Sequence, residues 1–210
     1  IKMGTIEIIQ DVTSRFIGME IIDHGKNYCV IKDLGETSEK EFENALRRIF
    51  LLLLSMAEES FSELKKQTKN VKNIVNTDII IDKFTDFCLR ILNKRGYNNY
   101  NKTNSIYATI LLLEFLGDEY KKIALHISKI KKFDSNIINF YEDVNKLLNL
   151  FYEMFYKFDE KRAAEIYELD EKITKINLKL NDDEKELLHH LKKIKRYITD
   201  LVQLRIDMEI

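Results

Sequence analysis

Apolar residues recur every three to four positions along most of this chain, which is the spacing of one face of an α-helix. Six such stretches, separated by short polar segments, predict helices at 38–69, 71–94, 105–132, 134–158, 159–180 and 181–210. The first stretch places Phe42, Leu46, Ile49, Leu53, Met56 and Leu64 on one face. The pattern therefore predicts a mainly α-helical protein.

Residues at the ends of these stretches support the same boundaries. Ser38 and Glu41 have the spacing of a capping box, in which each side chain accepts a hydrogen bond from an exposed backbone N–H group. Asp159 and Asn181 precede two later stretches as N-caps, and Gly96 follows the second stretch as a C-cap.

Residues 1–35 show a different pattern. Apolar positions at helical spacing from Ile6 to Phe16 predict one short helix. Two β-rich runs, 19–22 and 28–31, flank a turn that contains Gly25 and predict a β-hairpin. Because an isolated hairpin is marginally stable in water, we expect it to pack on the helical body or on a domain outside this chain.

The six longer helices fall into two sets of three with short polar connections. We therefore predict two tandem three-helix bundles, at 36–133 and 134–210, preceded by the small helix and hairpin segment at 1–35. The stretch from 105 to 132 is apolar on nearly all sides at its start, which predicts a central position for that helix.

Composition narrows the classes of function. The 210 residues include no proline and only six glycines, as expected of a helical protein. The 34 basic and 35 acidic residues nearly balance, so charge gives no general attraction to nucleic acid or anionic membranes. Cys29 and Cys88 are far apart, which fits a reduced, cytoplasmic setting. The longest apolar runs are too short for membrane insertion, and no glycine-rich phosphate loop or nucleophile elbow suggests an enzyme.

The strongest candidate chemistry is a set of paired carboxylates. Glu114 and Asp118 are four residues apart on one helix, and Asp78, Asp82 and Asp86 recur every four residues on the preceding one. Like charges at this spacing disfavour a helix, so a cation, a basic partner or open water must compensate. If the two helices are antiparallel neighbours, the last two aspartates of the row can converge with the pair on the next helix. The alternative is a solvated acidic face whose charges pair with nearby lysines.

The histidines do not complete a di-iron carboxylate site. That architecture needs a Glu-x-x-His motif on each of two helices, and the single match, Glu186 to His189, places the histidine opposite the apolar face of its helix. No helical ligand set includes His24, His126 or His190. The aromatic residues between 140 and 158 predict packing between the two bundles, or else an exposed surface for a partner or a second copy.

One segment resembles a known family. The sequence 113–120, Leu-Glu-Phe-Leu-Gly-Asp-Glu-Tyr, is similar to the signature of PhoU-type phosphate-uptake regulators, and 82–86 looks like the companion motif on the preceding helix. Weaker similarity at 18–22 and 46–58 resembles archaeal members in which an AbrB-like DNA-binding domain precedes the helices. The chain looks like such a member without that domain, so we expect no direct nucleic-acid binding.

The resemblance implies two tandem three-helix bundles and a metal cluster held by the acidic pairs Asp82, Asp86, Glu114 and Asp118. The metal is iron, zinc, manganese or magnesium. In the second bundle the matching acidic pair is Asp170 with Thr174, and the positions expected to be acidic on the last helix hold Lys192 and Arg196. A lysine or arginine near Asp170 can neutralise it, so we predict at most one cluster, in the first bundle.

By resemblance, the expected function is non-enzymatic regulation of phosphate uptake or phosphate signalling, as a cytoplasmic homodimer. The implied partner is a phosphate transporter or its sensor kinase. Two alternatives remain open: a metal-dependent oxidoreductase of the ferritin type, and a purely structural dimerisation module of a transcription regulator.

Overall fold

The structure is a computed structural model that describes residues 3–35, 38–66, 71–129, 135–176 and 180–209. Within these ranges the chain forms seven α-helices and one two-stranded sheet. The helices are α1 (Met3–Thr13), α2 (Glu39–Lys66), α3 (Lys72–Arg95), α4 (Thr103–Ile127), α5 (Ser135–Tyr156), α6 (Glu160–Thr174) and α7 (Asp182–Asp207). The strands are β1 (Met19–His24) and β2 (Cys29–Asp33), which pair antiparallel. A mainly helical protein with an N-terminal hairpin is confirmed.

Several helices begin or end where the sequence predicts. Asn181 and Glu184 form a complete capping box at the start of α7. The side chains of Ser38 and Asp159 accept hydrogen bonds from backbone N–H groups and so cap α2 and α6. Gly96 has a φ of 71° and ends α3, because this left-handed region favours glycine. The predicted helical positions 67–69, 130–132, 134 and 177–179 lie outside the described residues.

Each of the six longer helices buries an apolar face. Helix α2 packs against α3, α4 and α5, while α5 packs against α6 and α7. Helix α4 contacts α2, α3 and α7, which confirms its predicted central position. The buried side chains form one continuous apolar core. In the described part of the chain, no helix has a stretch long and apolar enough to cross a lipid bilayer.

The aromatic residues of α5 pack mainly into this core, against α2. Phe50 of α2 lies within 6 Å of four aromatic ring centroids of α5, those of Phe151, Tyr152, Phe155 and Tyr156. A buried hydrogen bond of 2.6 Å joins the hydroxyls of Ser60 and Tyr141 across the same contact. Core packing is therefore the better interpretation of these rings, although Tyr156 stays 40% exposed.

The N-terminal hairpin packs on the helical body, as the first of our two expectations states. The backbone N–H of Leu34 donates to the carbonyl of Gly18 at 2.7 Å and closes the hairpin at its base. Arg90 of α3 donates to the carbonyl of Ile17 at 2.5 Å. These contacts place the hairpin and the end of α1 over one face of α3.

Candidate carboxylate site

Three of the four predicted site residues line one pocket. Helices α3 and α4 run antiparallel. Lys121, late in α4, bonds Asp78 near the start of α3. Glu114, earlier in α4, lines a pocket with Asp82 and Asp86, which lie further along α3. This arrangement brings Asp82, Asp86 and Glu114 together around a pocket of about 670 Å³. Three of the acidic side chains predicted to converge therefore line the same pocket.

The pocket has two walls of different character. Helix α3 contributes Ile79 and Lys83 beside the carboxylates, while Val12, Arg15 and Phe16 at the end of α1 form the opposite wall. Each of the three carboxylate residues is half-buried. The pocket therefore holds negative charge in a partly desolvated space between the N-terminal segment and the helical body.

Asp118, the fourth predicted residue, has a different environment. The ammonium of Lys121 lies 2.7 Å from a carboxylate oxygen of Asp118 and 2.5 Å from one of Asp78. The side chain of Asp78 is only 4% exposed, so this lysine neutralises a buried charge. A lysine thus takes the cation position between these two acids, and Asp118 does not line the pocket.

Burial raises the pKa of the pocket carboxylates and also that of Asp78, whose hydrogen bond from Lys121 offsets the effect only in part. Burial, followed by the nearby charge of Asp78, raises the pKa of Asp82 to about 6. Burial and then neighbouring carboxylates raise the pKa of Glu114 as well. Although burial alone would lower the pKa of Lys121, its hydrogen bonds to Asp118 and Asp78 raise it. Ionisation is therefore disfavoured in the pocket and favoured at the lysine.

The pocket offers oxygen donors without a paired cation. Among the described residues, Asp82, Asp86 and Glu114 take part in no ion pair. Carboxylate oxygens suit magnesium, manganese and iron by donor type, and zinc also accepts them. Within the described ranges, however, no three acidic, histidine or cysteine side chains are placed closely enough to share one metal ion. The donor chemistry fits a cation, and a shared coordination shell requires the carboxylates to move together.

The second half of the chain neutralises its acid with a lysine, as expected. The ammonium of Lys195 lies 2.6 Å from Asp170 and 3.2 Å from the hydroxyl of Thr174. The prediction that Lys192 or Arg196 occupies this position is wrong, because both residues are exposed on α7. Lys195, the partner of Asp170, precedes Arg196 by one residue. Sequence matching cannot choose between such neighbouring positions without knowing how α6 packs on α7.

A buried charge network between α4 and α7 was missed by sequence reasoning. The Glu119 side chain is 3% exposed, and its oxygens lie 2.6 Å from His190, 2.9 Å from Lys122 and 3.4 Å from Lys193. Burial opposes ionisation of Glu119, but the hydrogen bonds from His190 and Lys122 outweigh it and lower the pKa. The Glu119–Lys122 spacing was visible in the sequence, whereas the partners on α7 were not.

His126 and His189 do not line the carboxylate pocket. Nε2 of His126 lies 2.8 Å from the carbonyl oxygen of Asp183, at the start of α7. His189 is exposed, as predicted. The side chain of Glu186 is 60% exposed. The Glu-x-x-His match therefore lies at the surface of α7 and does not join the carboxylate pocket.

Fold and site together define a mainly helical protein with a pocket in which Asp82, Asp86 and Glu114 form no ion pair with another described residue. No protein-family model, no curated protein and no solved structure matches the chain. The function is therefore argued from the geometry of the pocket and from the sequence resemblance.

Proposed function

We propose that this chain is a non-enzymatic regulator of phosphate uptake or phosphate signalling whose pocket of Asp82, Asp86 and Glu114 binds a cation. One observation carries the proposal: these three half-buried carboxylates have no ion-pair partner in the part of the chain that the structure describes, while neighbouring Asp78 and Asp118 share Lys121. Unpaired buried charge destabilises a fold, and a bound cation removes that penalty. The resembling segment 113–120 lies on α4, the helix that supplies Glu114.

We also propose that the six longer helices form two tandem three-helix repeats. The contacts of α2 with α3 and α4, and of α5 with α6 and α7, support this grouping. The repeats differ in how they neutralise acids. In the second repeat Lys195 bonds Asp170 directly, so the proposed cation site belongs to the first repeat alone.

In the proposed site, Asp82 and Asp86 from α3 and Glu114 from α4 hold the ion. A bound iron, manganese, magnesium or zinc ion supplies positive charge that offsets the carboxylates. Asp118 joins this set only when it gives up its bond to Lys121. The ion would then link α3 to α4 and stabilise one arrangement of the two helices.

Regulation in this proposal works through protein contacts. A phosphate transporter or its sensor kinase is the proposed partner, and a homodimer is the proposed assembly. Both follow from the sequence resemblance and are tested together by the cellular phenotype.

The direct test is phosphate uptake in the source organism. Deleting the gene is expected to raise the uptake of radiolabelled phosphate in phosphate-replete medium, because a regulator of this type limits transport. The wild-type gene should restore the lower rate, and an Asp82→Asn/Glu114→Gln variant at equal protein level should not. As a matched control we choose Asp182→Asn/Glu165→Gln, which changes two exposed carboxylates elsewhere. Unchanged uptake in the deletion strain would contradict the proposed function.

A further inference from the structure

The N-terminal segment, residues 3–35, makes few contacts with the helical body. Among the described elements, α1 packs on β1 and makes no comparable contact with the longer helices. Ile8 and Val12 of α1 are 65% and 47% exposed. The hairpin likewise leaves Ile22, Val30 and Leu34 exposed. Ile17 packs against the core, but much of the other apolar surface of this segment stays exposed, so apolar burial holds it only in part.

The attachments of the segment converge on Arg90 of α3. Its guanidinium donates to the carbonyl of Ile17 at 2.5 Å and lies 5.8 Å from the ring centroid of Phe16. The same group is 3.8 Å from a carboxylate oxygen of Asp33 in β2. One arginine thus fixes both the end of α1 and the hairpin.

Two further features complete the attachment. Lys94, one turn beyond the arginine, bonds Asp33 at 2.7 Å. At the base of the hairpin Gly18 has a φ of 79°, and a Cβ there would lie 2.7 Å from the Cα of Gly35. The base of the hairpin therefore depends on a glycine at position 18.

Arg90 also belongs to the face of α3 that lines the pocket. Asp86 lies four residues before Arg90, a spacing at which acidic and basic side chains on a helix interact. Among the described residues, Nε and Nη1 of Arg90 are buried and have no hydrogen-bond partner. The charge of Arg90 also acts on the Asp86 carboxyl, whose pKa it lowers against the larger effect of burial, so the residue that holds the N-terminal segment lies beside the pocket.

We infer that residues 3–35 form a lid on the carboxylate pocket, fastened by Arg90. The lid closes the pocket because Val12, Arg15 and Phe16 form the wall opposite the carboxylates. That the lid encloses a bound cation rests on the proposed function, whereas its opening and closing do not.

Carboxyl labelling tests the lid directly. The purified metal-free chain is treated with a carbodiimide and glycine ethyl ester, and labelling rates at Asp82 and Glu114 are read by mass spectrometry. Arg90→Gln is expected to raise both rates on the order of tenfold, because the closed state loses its main attachment.

Controls separate lid opening from general loosening. Arg196→Gln removes an exposed arginine of α7 and should leave both rates unchanged. Gly18→Ala disturbs the base of the hairpin without removing a charge, and it should raise the rates as Arg90→Gln does. Wild-type rates in Arg90→Gln and Gly18→Ala, or an equal rise at Asp143 of α5, would overturn the lid. Since no metal is present, this outcome is independent of whether the pocket binds a cation.

Discussion

At the scale of single residues, Asp78 and Asp82 differ in whether a cation compensates their partly or fully buried carboxylate. Asp78 is nearly fully buried and keeps a lysine within 2.5 Å. Asp82, one turn away, is half-buried and has its pKa raised to about 6, first by burial and then by Asp78. The unpaired carboxylate therefore lowers the stability of the folded chain at neutral pH.

Asp82→Asn is expected to stabilise the metal-free chain at about pH 7 by on the order of 1 kcal/mol, after discounting for solvent screening. A carboxyl with a raised folded pKa stabilises the protein fully below its unfolded pKa of 3.8, and this contribution is lost as pH rises through about 6. The gain from the substitution should therefore vanish near pH 4. Urea unfolding of wild type and variant between these pH values measures it.

Lys121→Met serves as a control, because we expect it to change the stability of the chain in the opposite direction. This substitution leaves the buried Asp78 without its cation and is expected to destabilise the chain by about 2–3 kcal/mol at neutral pH. If Asp82→Asn were destabilising at neutral pH by a similar amount, the pocket carboxylate would have a structural partner and our account of its charge would be wrong.

At the scale of secondary structure, two acidic residues of α4 face different neighbouring helices. Glu114 lines the pocket beside α3, whereas Glu119 is buried against α7 and bonded by His190. Glu119 therefore links α4 to α7. Its charge is stabilising because the hydrogen bonds of His190 and Lys122 overcome the effect of burial on its pKa.

Glu119→Gln is expected to destabilise the chain by about 2–3 kcal/mol at neutral pH, because it leaves buried donors without their anion. Since the folded pKa of Glu119 lies below 4.5, its contribution is present above that value and is lost as pH falls through the folded pKa. The difference between variant and wild type in urea unfolding should therefore shrink in acid. Glu165→Gln, at an exposed position of α6, should change little at any pH.

Sequence predicted the elements better than the contacts between them, for a physical reason. Helix ends depend on neighbours within about four residues, so the cap at Asn181 and the stop at Gly96 were readable. The Asp78–Lys121 and Glu119–His190 bonds join residues 43 and 71 positions apart. Such bonds depend on how one helix is rotated against another, which periodicity alone does not determine.

At the scale of the whole molecule, the two halves of the helical body share a core but differ in chemistry. Lys195 bonds Asp170 in the second half, while the first half leaves a carboxylate pocket beneath the N-terminal segment. The sequence predicted this asymmetry through the basic residues of the last helix, although it indicated the wrong lysine. The lid over the pocket could not be predicted, because the docking of the hairpin depends on a few bonds from Arg90 and Lys94 of α3.

The central claim is that the pocket of Asp82, Asp86 and Glu114 binds a cation, and thermal unfolding with added magnesium, manganese, iron or zinc tests it most directly. At least one ion should stabilise the wild-type chain, by about 2.7 kcal/mol at a hundred times its Kd. The same ion should not stabilise Asp82→Asn/Glu114→Gln, but should stabilise the matched control Asp182→Asn/Glu165→Gln as it does wild type. Equal stabilisation of all three proteins, or no stabilisation by any of the four ions, would contradict the account.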